Sequence, residues 1–312
     1  MSLLILTSNQ DLSADYLIVE LIARGLPYFR LNAEDISNAK LKFEKTTDIF
    51  QRQISIGPRS INLDEIRSVW YRRAVHPTPT AAISPPKRAF VAGELRHLAL
   101  GLVLDDRIQW VNPIDKVSVA EHKIYQLRCA EALGLRIPQT LVSEDPRALR
   151  EFAARNRHGT ICKPIFHGLF VEGSDRYSIY TRRVSATDFT DESYADCPVL
   201  LQEEIPRSAD VRATFIGSKC FVADITTEEN AVDWRDPRLS IRHAVSTLDT
   251  YTESLCRQLL RRLGLVYGAF DFIRTPEGDL VFLEVNPTGE WAWLEEQLGF
   301  NMRGAFIDLF YG

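Results

Sequence analysis

The sequence predicts an α/β fold assembled from more than one unit, and three observations carry that prediction. The chain opens strand–helix–strand, as SLLILTSN, DLSADYLIVELIARG and PYFRLN, a succession that builds a parallel sheet with a right-handed crossover. Helical and strand patterns keep alternating through the middle of the chain. Near the C-terminus, YGAFDFIRT at 267–275 and DLVFLEVNPTGE at 279–290 read as two strands, with Pro276 and Gly278 punctuating the turn between them.

In the opening unit, Tyr16, Val19, Ile22 and Ala23 recur at helical spacing and Gly25 supplies the stop. No GxGxxG follows the first strand, so the dinucleotide-binding fingerprint is absent. KLKFEKT and QRQISIG alternate like an exposed hairpin. IRSVWYRRAV is a further strand, with Trp70, Tyr71, Arg72 and Arg73 near its end. Lys87 to Leu104 reads as an amphipathic helix, and VNPIDKVSVAEHK closes the first unit. Glu121 to Gly134 is helical, with Ile124, Leu127, Cys129 and Leu133 as its apolar face. LRIPQTLVS is a strand, and DPRALREFAARN begins with an Asp-Pro cap signal and is a helix. GTICKPIFHGLFVEGS has strand character around Lys163-Pro164. PVLLQEEIP runs from strand into linker, and ADVRATFIGSKCFVADIT is a strand pair turning at Gly217-Ser218.

Composition sets outer bounds. The 312 residues are 45% hydrophobic and 25% charged, ordinary for a soluble globular protein. A formal net charge of −5 argues against a nucleic-acid partner. Cys129, Cys162, Cys197, Cys220 and Cys256 are scattered, with no spacing that suggests zinc, so a reduced cytoplasmic setting is expected. The apolar run Leu3 to Leu6 is too short for a signal peptide, and no segment reaches membrane-spanning length.

The chemistry concentrates in the C-terminal strand pair. Strict alternation puts Leu280, Phe282, Glu284 and Asn286 on one face, with Glu284 and Asn286 roughly 6–7 Å apart along the strand. A four-residue loop, Pro276 to Asp279, would set Thr275 opposite Leu280 and Asp271 opposite Glu284. Two carboxylates and an amide oxygen then meet on an otherwise apolar hairpin. Hard oxygen ligands too few for an all-protein cage suit Mg²⁺ shared with substrate phosphates.

Lys123, Lys163-Pro164, Gln202-Glu203-Glu204-Ile205, Asp210-Val211-Arg212, Asp271 and Glu284-Val285-Asn286-Pro287 stand in the order of the ATP-grasp fold. Over nearly the whole chain the sequence resembles that family. VWYRR at 69–73, VDWR at 232–235 and EVNPTGEWAWLE at 284–295 make it most similar to the microviridin-type, or graspetide, synthetases that close rings in ribosomally made peptides. The resemblance implies an α+β ATP-grasp architecture within the α/β class: a pre-ATP-grasp α/β domain over 1–115, then two α+β subdomains, 116–205 and 206–312, gripping ATP.

It also implies roles. Lys123 and Lys163 hold ATP phosphates as compact charges, although Lys123 alone would read as a solvated helix lysine. Gln202, Glu203, Glu204 and Ile205 line the adenine, with backbone groups of Glu203 and Ile205 at the base edge and one of the two glutamates at the ribose. Arg212 neutralises charge at the γ-phosphate and the acyl phosphate, and Asp210 orients it or touches substrate. Asp271, Glu284 and Asn286 hold Mg²⁺. His167-Gly168 and Gly173-Ser174 fall where relatives have a mobile glycine loop. Arg72, Arg73 and Arg235, with Trp291 and Trp293, are candidates to bind the acceptor peptide, by charge and by flat apolar area; the tryptophans read equally well as core. The implied activity is ATP-dependent phosphorylation of Asp or Glu side chains in a precursor peptide, leader plus acidic core, followed by ring closure onto Thr, Ser or Lys. A homodimer is expected. The alternatives are a ligase that adds a free amino acid to a peptide or protein, and an ATP-binding regulator without catalysis.

Overall fold

The computed structural model describes residues 2–73, 76–166, 168–172, 175–190, 197–227 and 231–312. It opens with β1 (Ser2–Thr7), α1 (Leu12–Ala23) and β2 (Tyr28–Asn32), and β1 and β2 pair in parallel as expected. Asp11 caps α1, its carboxylate accepting the N–H of Ala14, one of the first-turn donors without a helical partner. The buried stripe of α1 is Ala14, Leu17, Ile18 and Leu21, whereas Val19 and Ile22 are exposed. The helix is apolar nearly all round, so periodicity alone does not choose its inward face. Asp11, tied to a buried arginine described below, fixes the rotation.

The expected hairpin gains a third strand: β3 (Lys40–Lys45), β4 (Phe50–Ile56) and β5 (Arg59–Asn62) form an antiparallel sheet. β6 (Ile66–Tyr71), α2 (Pro85–Val103) and β7 (Gln109–Val111) then complete the parallel sheet, in the order β2-β1-β6-β7. α3 (Ile114–Ala120) and α4 (Lys123–Leu133) follow. α4 buries Gln126, Leu127, Cys129 and Ala130 and leaves Ile124 exposed.

A four-stranded antiparallel sheet comes next, made from β8 (Thr140–Ser143), β9 (Thr160–Lys163), β12 (Arg182–Val184) and β13 (Val199–Glu203). Between its strands lie α5 (Pro146–Arg155) and the hairpin β10 (Leu169–Glu172)–β11 (Asp175–Ser178). The last sheet is antiparallel and five-stranded, in the order β16-β15-β14-β17-β18. It comprises β14 (Ala209–Ile216), β15 (Lys219–Thr227), β16 (Ile241–Ser246), β17 (Tyr267–Arg274) and β18 (Leu280–Asn286), with α6 (Thr250–Leu263) before β17. α7 (Ala292–Leu298) and α8 (Met302–Tyr311) follow β18.

Packing crosses chain order. Leu127 and Ala130 of α4 and Leu259 of α6 share one core with Phe270, Phe272, Phe282 and Val285 of the five-stranded sheet. Trp291 and the α8 residues Phe306 and Phe310 pack against Leu3, Ile5 and Trp70 of the first sheet. The first unit also has a core of its own, with Leu4, Leu6, Phe29, Val69 and Leu102, so one face of its sheet packs within the unit and the other against the C-terminal helices.

The β17–β18 hairpin reaches its expected pairing by another route. Five residues connect the strands, Arg274 faces Leu280, and the Thr275 N–H donates to Asp279 O at 2.8 Å. That register is one residue out. Leu283 then forms a bulge on β18, and from Asp271–Glu284 onward the expected pairs stand. The bulge turns Phe282 and Val285 into the core together and leaves Leu283, Glu284 and Asn286 on the other side. Phe282 and Glu284 thus do not share the face that strict alternation assigns them. The bulge turns the Glu284 carboxylate out of the apolar run and into the cavity.

Candidate active site

Arg212 on β14, Asp271 on β17 and Glu284 on β18 are direct cross-strand neighbours. One cation and two carboxylates therefore form a row across three strands. Arg212 Nε lies 3.0 Å from Asp271 Oδ1, close enough for an ion pair though not aligned as a hydrogen bond. Lys123 Nζ, from the first turn of α4, donates to Glu284 Oε2 at 2.7 Å. Asn286 Nδ2 donates to Asp271 Oδ2 at 3.2 Å. Lys163, at the end of β9, lines the same cavity.

The charges in the row depend on one another. Burial raises the Asp271 carboxyl above the usual range; Arg212 opposes this and Glu284 adds to it. Burial also raises Glu284, but Lys123 and Lys163 outweigh it and hold that carboxyl low. Burial lowers Lys163 to about 8, with Glu284 supporting its charge and Lys123 opposing it. Among the described residues, no three His, Cys, Asp or Glu side chains cluster as a metal cage. Two adjacent, poorly hydrated carboxylates with an amide beside them fit Mg²⁺, an ion that takes its remaining oxygens from phosphates and water.

The cavity, about 390 Å³, continues from this row to the apolar side chains Ile161, Ile273 and Leu283. Gln202 is buried at its wall, Nε2 donating to Thr140 Oγ1 at 3.0 Å while Oε1 accepts no hydrogen bond. Glu203, Glu204 and Ile205 are not among the lining residues. Glu203 accepts the Gln139 N–H at 3.0 Å, Glu204 takes the fork of Arg183 at 2.7 and 2.8 Å, and Ile205 packs against Ile273 and Val281.

At the other end of the cavity, Asp210 is paired with Arg207 at 3.0 Å. Burial raises the Asp210 carboxyl against the pull of Arg207. Asp233 accepts the Thr181 N–H at 3.1 Å and the Nε and Nη2 of Arg235, each at 2.8 Å. Trp234 lines the cavity, stacks near Trp293 at 5.5 Å and lies under the Arg212 guanidinium at 5.9 Å. Arg207 and Asp233 are not singled out from the sequence, although their partners Asp210 and Arg235 lie only three and two residues away. VDWR holds both Arg235 and the carboxylate that aims it; only the Thr181 N–H comes to Asp233 from a distance.

Two expected peptide contacts are corrected. Arg72 is buried, and all five of its N–H donors are taken. They go to Asp11 (3.2 Å twice), Thr288 O (2.7 Å), Gly289 O (3.0 Å) and Glu290 (3.1 Å). Trp291 is wholly buried among Tyr16, Trp70 and Phe306. A side chain with no free donor, or inside a core, meets no peptide. Arg73 is half-exposed, pairs with Glu290 and lies outside the cavity lining. His167, Gly173 and Ser174 lie outside the described residues, while Gly168 lines the cavity.

Residues 2–118 match the MvdD pre-ATP grasp domain. The whole chain also superposes on solved ATP-grasp enzymes. The macrocyclase MdnC from Microcystis aeruginosa MRC, bound with precursor peptide MdnA, is 28% identical, with a TM-score of 0.87 over 99% of both chains. The chain thus carries an MvdD-type pre-ATP grasp domain over residues 2–118 and is similar over its whole length to ATP-grasp macrocyclases. Macrocyclase MdnB from the same organism is 29% identical, with a TM-score of 0.81 over 100% of this chain and 99% of that one. A RiPP-associated ATP-grasp ligase from Chryseobacterium gregarium, solved with ADP and a leader and core peptide, is 22% identical. Its TM-score of 0.87, over 99% of this chain and 96% of that one, adds support for the fold. No curated protein sequence matches the chain. Among the described residues, no helix of this ATP-grasp ligase is long and apolar enough to cross a membrane.

Proposed function

We propose that this ATP-grasp ligase uses MgATP to activate Asp or Glu side chains of a ribosomally made precursor peptide and closes them into ester or amide rings. The observation that carries the reading is the Arg212–Asp271–Glu284 row with Lys123 and Lys163 beside it, in one cavity. Asp271, Glu284 and Asn286 would hold Mg²⁺, which when bound neutralises phosphate charge. Lys123 and Lys163 bring two further cations to the phosphates, and Arg212 stands where charge develops during transfer.

In the first step a peptide carboxylate oxygen attacks the γ-phosphorus, the bond to the ADP oxygen breaks, and an acyl phosphate forms. In the second, a Thr or Ser hydroxyl or a Lys amine attacks the acyl carbon. The C–O bond to phosphate breaks, phosphate leaves, and the nucleophile gives up its proton. Arg235, which lines the cavity, and Trp293, packed on Trp234 behind the lining, are the remaining acceptor-side candidates, with Asp210 near the reacting groups. The likeness to MdnC, described as a macrocyclase with its precursor peptide, supports the substrate class.

The test is to incubate the chain with MgATP and a Thr- and Asp/Glu-rich precursor. One water should be lost from the peptide for each ADP formed. A peptide that gains an amino-acid residue instead would move the reading to the amino-acid-adding ligases, and ATP hydrolysis indifferent to peptide would end it. The expected homodimer stays part of this proposal, and a monomer mass by light scattering would remove it.

A further inference from the structure

We infer that Arg72, Asn112 and Gln126 are positioning residues that hold the strand bearing Glu284 and Asn286 in aim, making the N-terminal unit a working part of the active site. The inference rests on the ligase reading above. β18 is the edge of its sheet, so the backbone groups on its outer side have no ladder partner. Gln126 takes up those of Val285, and two more buried side chains from upstream, Asn112 and Arg72, hold the three residues that follow the strand. Gln126 of α4 grips Val285 from both ends, Oε1 accepting its N–H at 2.9 Å and Nε2 donating to its carbonyl at 2.8 Å. Val285 is the residue between Glu284 and Asn286. Asn112, just after β7, donates Nδ2 to Pro287 O and to Tyr267 O, both at 2.8 Å. Its Oδ1 accepts the N–H groups of Val266 and Tyr267 at 2.8 and 3.1 Å. Arg72, just after β6, covers the carbonyls of Thr288 and Gly289.

The grip reaches the reacting groups by contact. Gly289 lies so close to β17 that a Cβ there would stand 2.7 Å from Ala269 Cβ, 3.2 Å from Asn286 Cβ and 3.5 Å from Arg212 Nη1. The turn at Gly289 thus packs closely on Ala269 and Asn286, with Arg212 next to it, so a displaced turn bears on the aim of Asn286. Tyr267 Oη, also on Gly289 O at 2.7 Å, closes the turn from the sheet side. A metal site with only three protein ligands depends strongly on how those ligands are held, and outer partners of ligands commonly alter metal affinity by about 10–100-fold.

The experiment compares the full-length wild type with Arg72→Lys and Gln126→Met. Lysine keeps a charge beside Asp11 but cannot cover two carbonyls and two carboxylates at once. Methionine keeps the volume and loses both bonds to Val285. Mg²⁺ is titrated calorimetrically into protein saturated with ADP, the precursor peptide is titrated separately, and folding is followed by thermal melting. Both variants should stay folded, need about tenfold more Mg²⁺ for half-saturation, and bind peptide like wild type. Glu290→Gln, at a half-exposed partner of Arg72, carries the same test with little folding risk and should shift the Mg²⁺ requirement in the same direction by less. A folded variant with the wild-type Mg²⁺ requirement overturns the inference, as does an Arg72→Lys protein that loses only peptide affinity. A wild type that takes up no Mg²⁺ with ADP would sink the ligase reading itself.

Discussion

The two ends of the cavity are built differently. At the ladder end, Arg212, Asp271 and Glu284 stand on three adjacent strands, each placed by a ladder of backbone hydrogen bonds. At the loop end, Trp234 and Arg235 come from the segment between β15 and β16, and Tyr180 and Thr181 from that between β11 and β12. One carboxylate, Asp233, joins those two segments. Charge neutralisation at a fixed nucleotide benefits from rigid placement. A surface that takes in a peptide can rest on loops, whose sequence can change without disturbing the strands. Under the proposed function, the ladder carries the chemistry and the loops the choice of substrate.

Glu284→Gln and Asn286→Ala attack the ladder end directly, and each should remove turnover from a protein whose circular dichroism is unchanged. Undiminished ADP release would break the assignment. Arg212→Ala should lower kcat by about 100-fold, the usual loss for one charge-stabilising donor, with little change in nucleotide affinity. If ATP binding were lost and kcat at saturation kept, Arg212 would belong to the ground state. At the loop end, Arg235→Ala should raise the KM for precursor by about tenfold, the scale of a hydrogen bond to a charged group, and leave MgADP binding as it was. A nucleotide-binding defect there would erase the division between the two ends.

Acidity separates the ends further. Lys163 titrates near 8 because burial disfavours its charge, so it is cationic below that pH and neutral above it. Nucleotide affinity should therefore weaken several-fold between pH 7 and 9, and Lys163→Arg should abolish the dependence. A flat profile in the wild type would place that ammonium away from the phosphates. The smallest effect is expected from Arg73→Ala, whose partner Glu290 is as exposed as itself. Precursor kinetics should stay within about twofold of wild type, and a larger change would extend the peptide surface beyond the cavity.

The contrast between the two ends also explains what the sequence reveals. Asp271, Glu284 and Asn286 were legible because strand spacing and a short turn are local. Even there the route was not: Leu283 bulges, and only backbone coordinates show that a five-residue loop and a bulge together give the pairing a four-residue loop would have given. The cross-strand neighbour of Asp271, Arg212, lies 59 positions upstream, and no periodicity links the two. Arg72 and Arg235 look alike in sequence, arginines beside a tryptophan, yet one is wholly enclosed and the other lines the cavity. The difference lies in the partners: Asp11, Thr288, Gly289 and Glu290, which only folding brings near, enclose the first, whereas the second turns back on Asp233, two residues before it. Likewise α1 offers two apolar stripes, and tertiary packing chooses between them.

The closure of α8 onto the first sheet bears on how the chain acquires its shape during synthesis. Leu3, Ile5 and Trp70 are among the early residues made, yet Trp291, Phe306 and Phe310 complete their shared core. Ser68 Oγ also donates to Phe310 O at 2.9 Å, and Tyr311 Oη to Pro27 O at 2.8 Å. An N-terminal sheet emerging from the ribosome must wait, with one apolar face wet, until residues near position 310 arrive. Such waiting surfaces invite chaperones and self-association. The segment that homology delimits, 2–118, holds one core of its own and leaves the other face of its sheet bare, and expressed alone it should self-associate through that face.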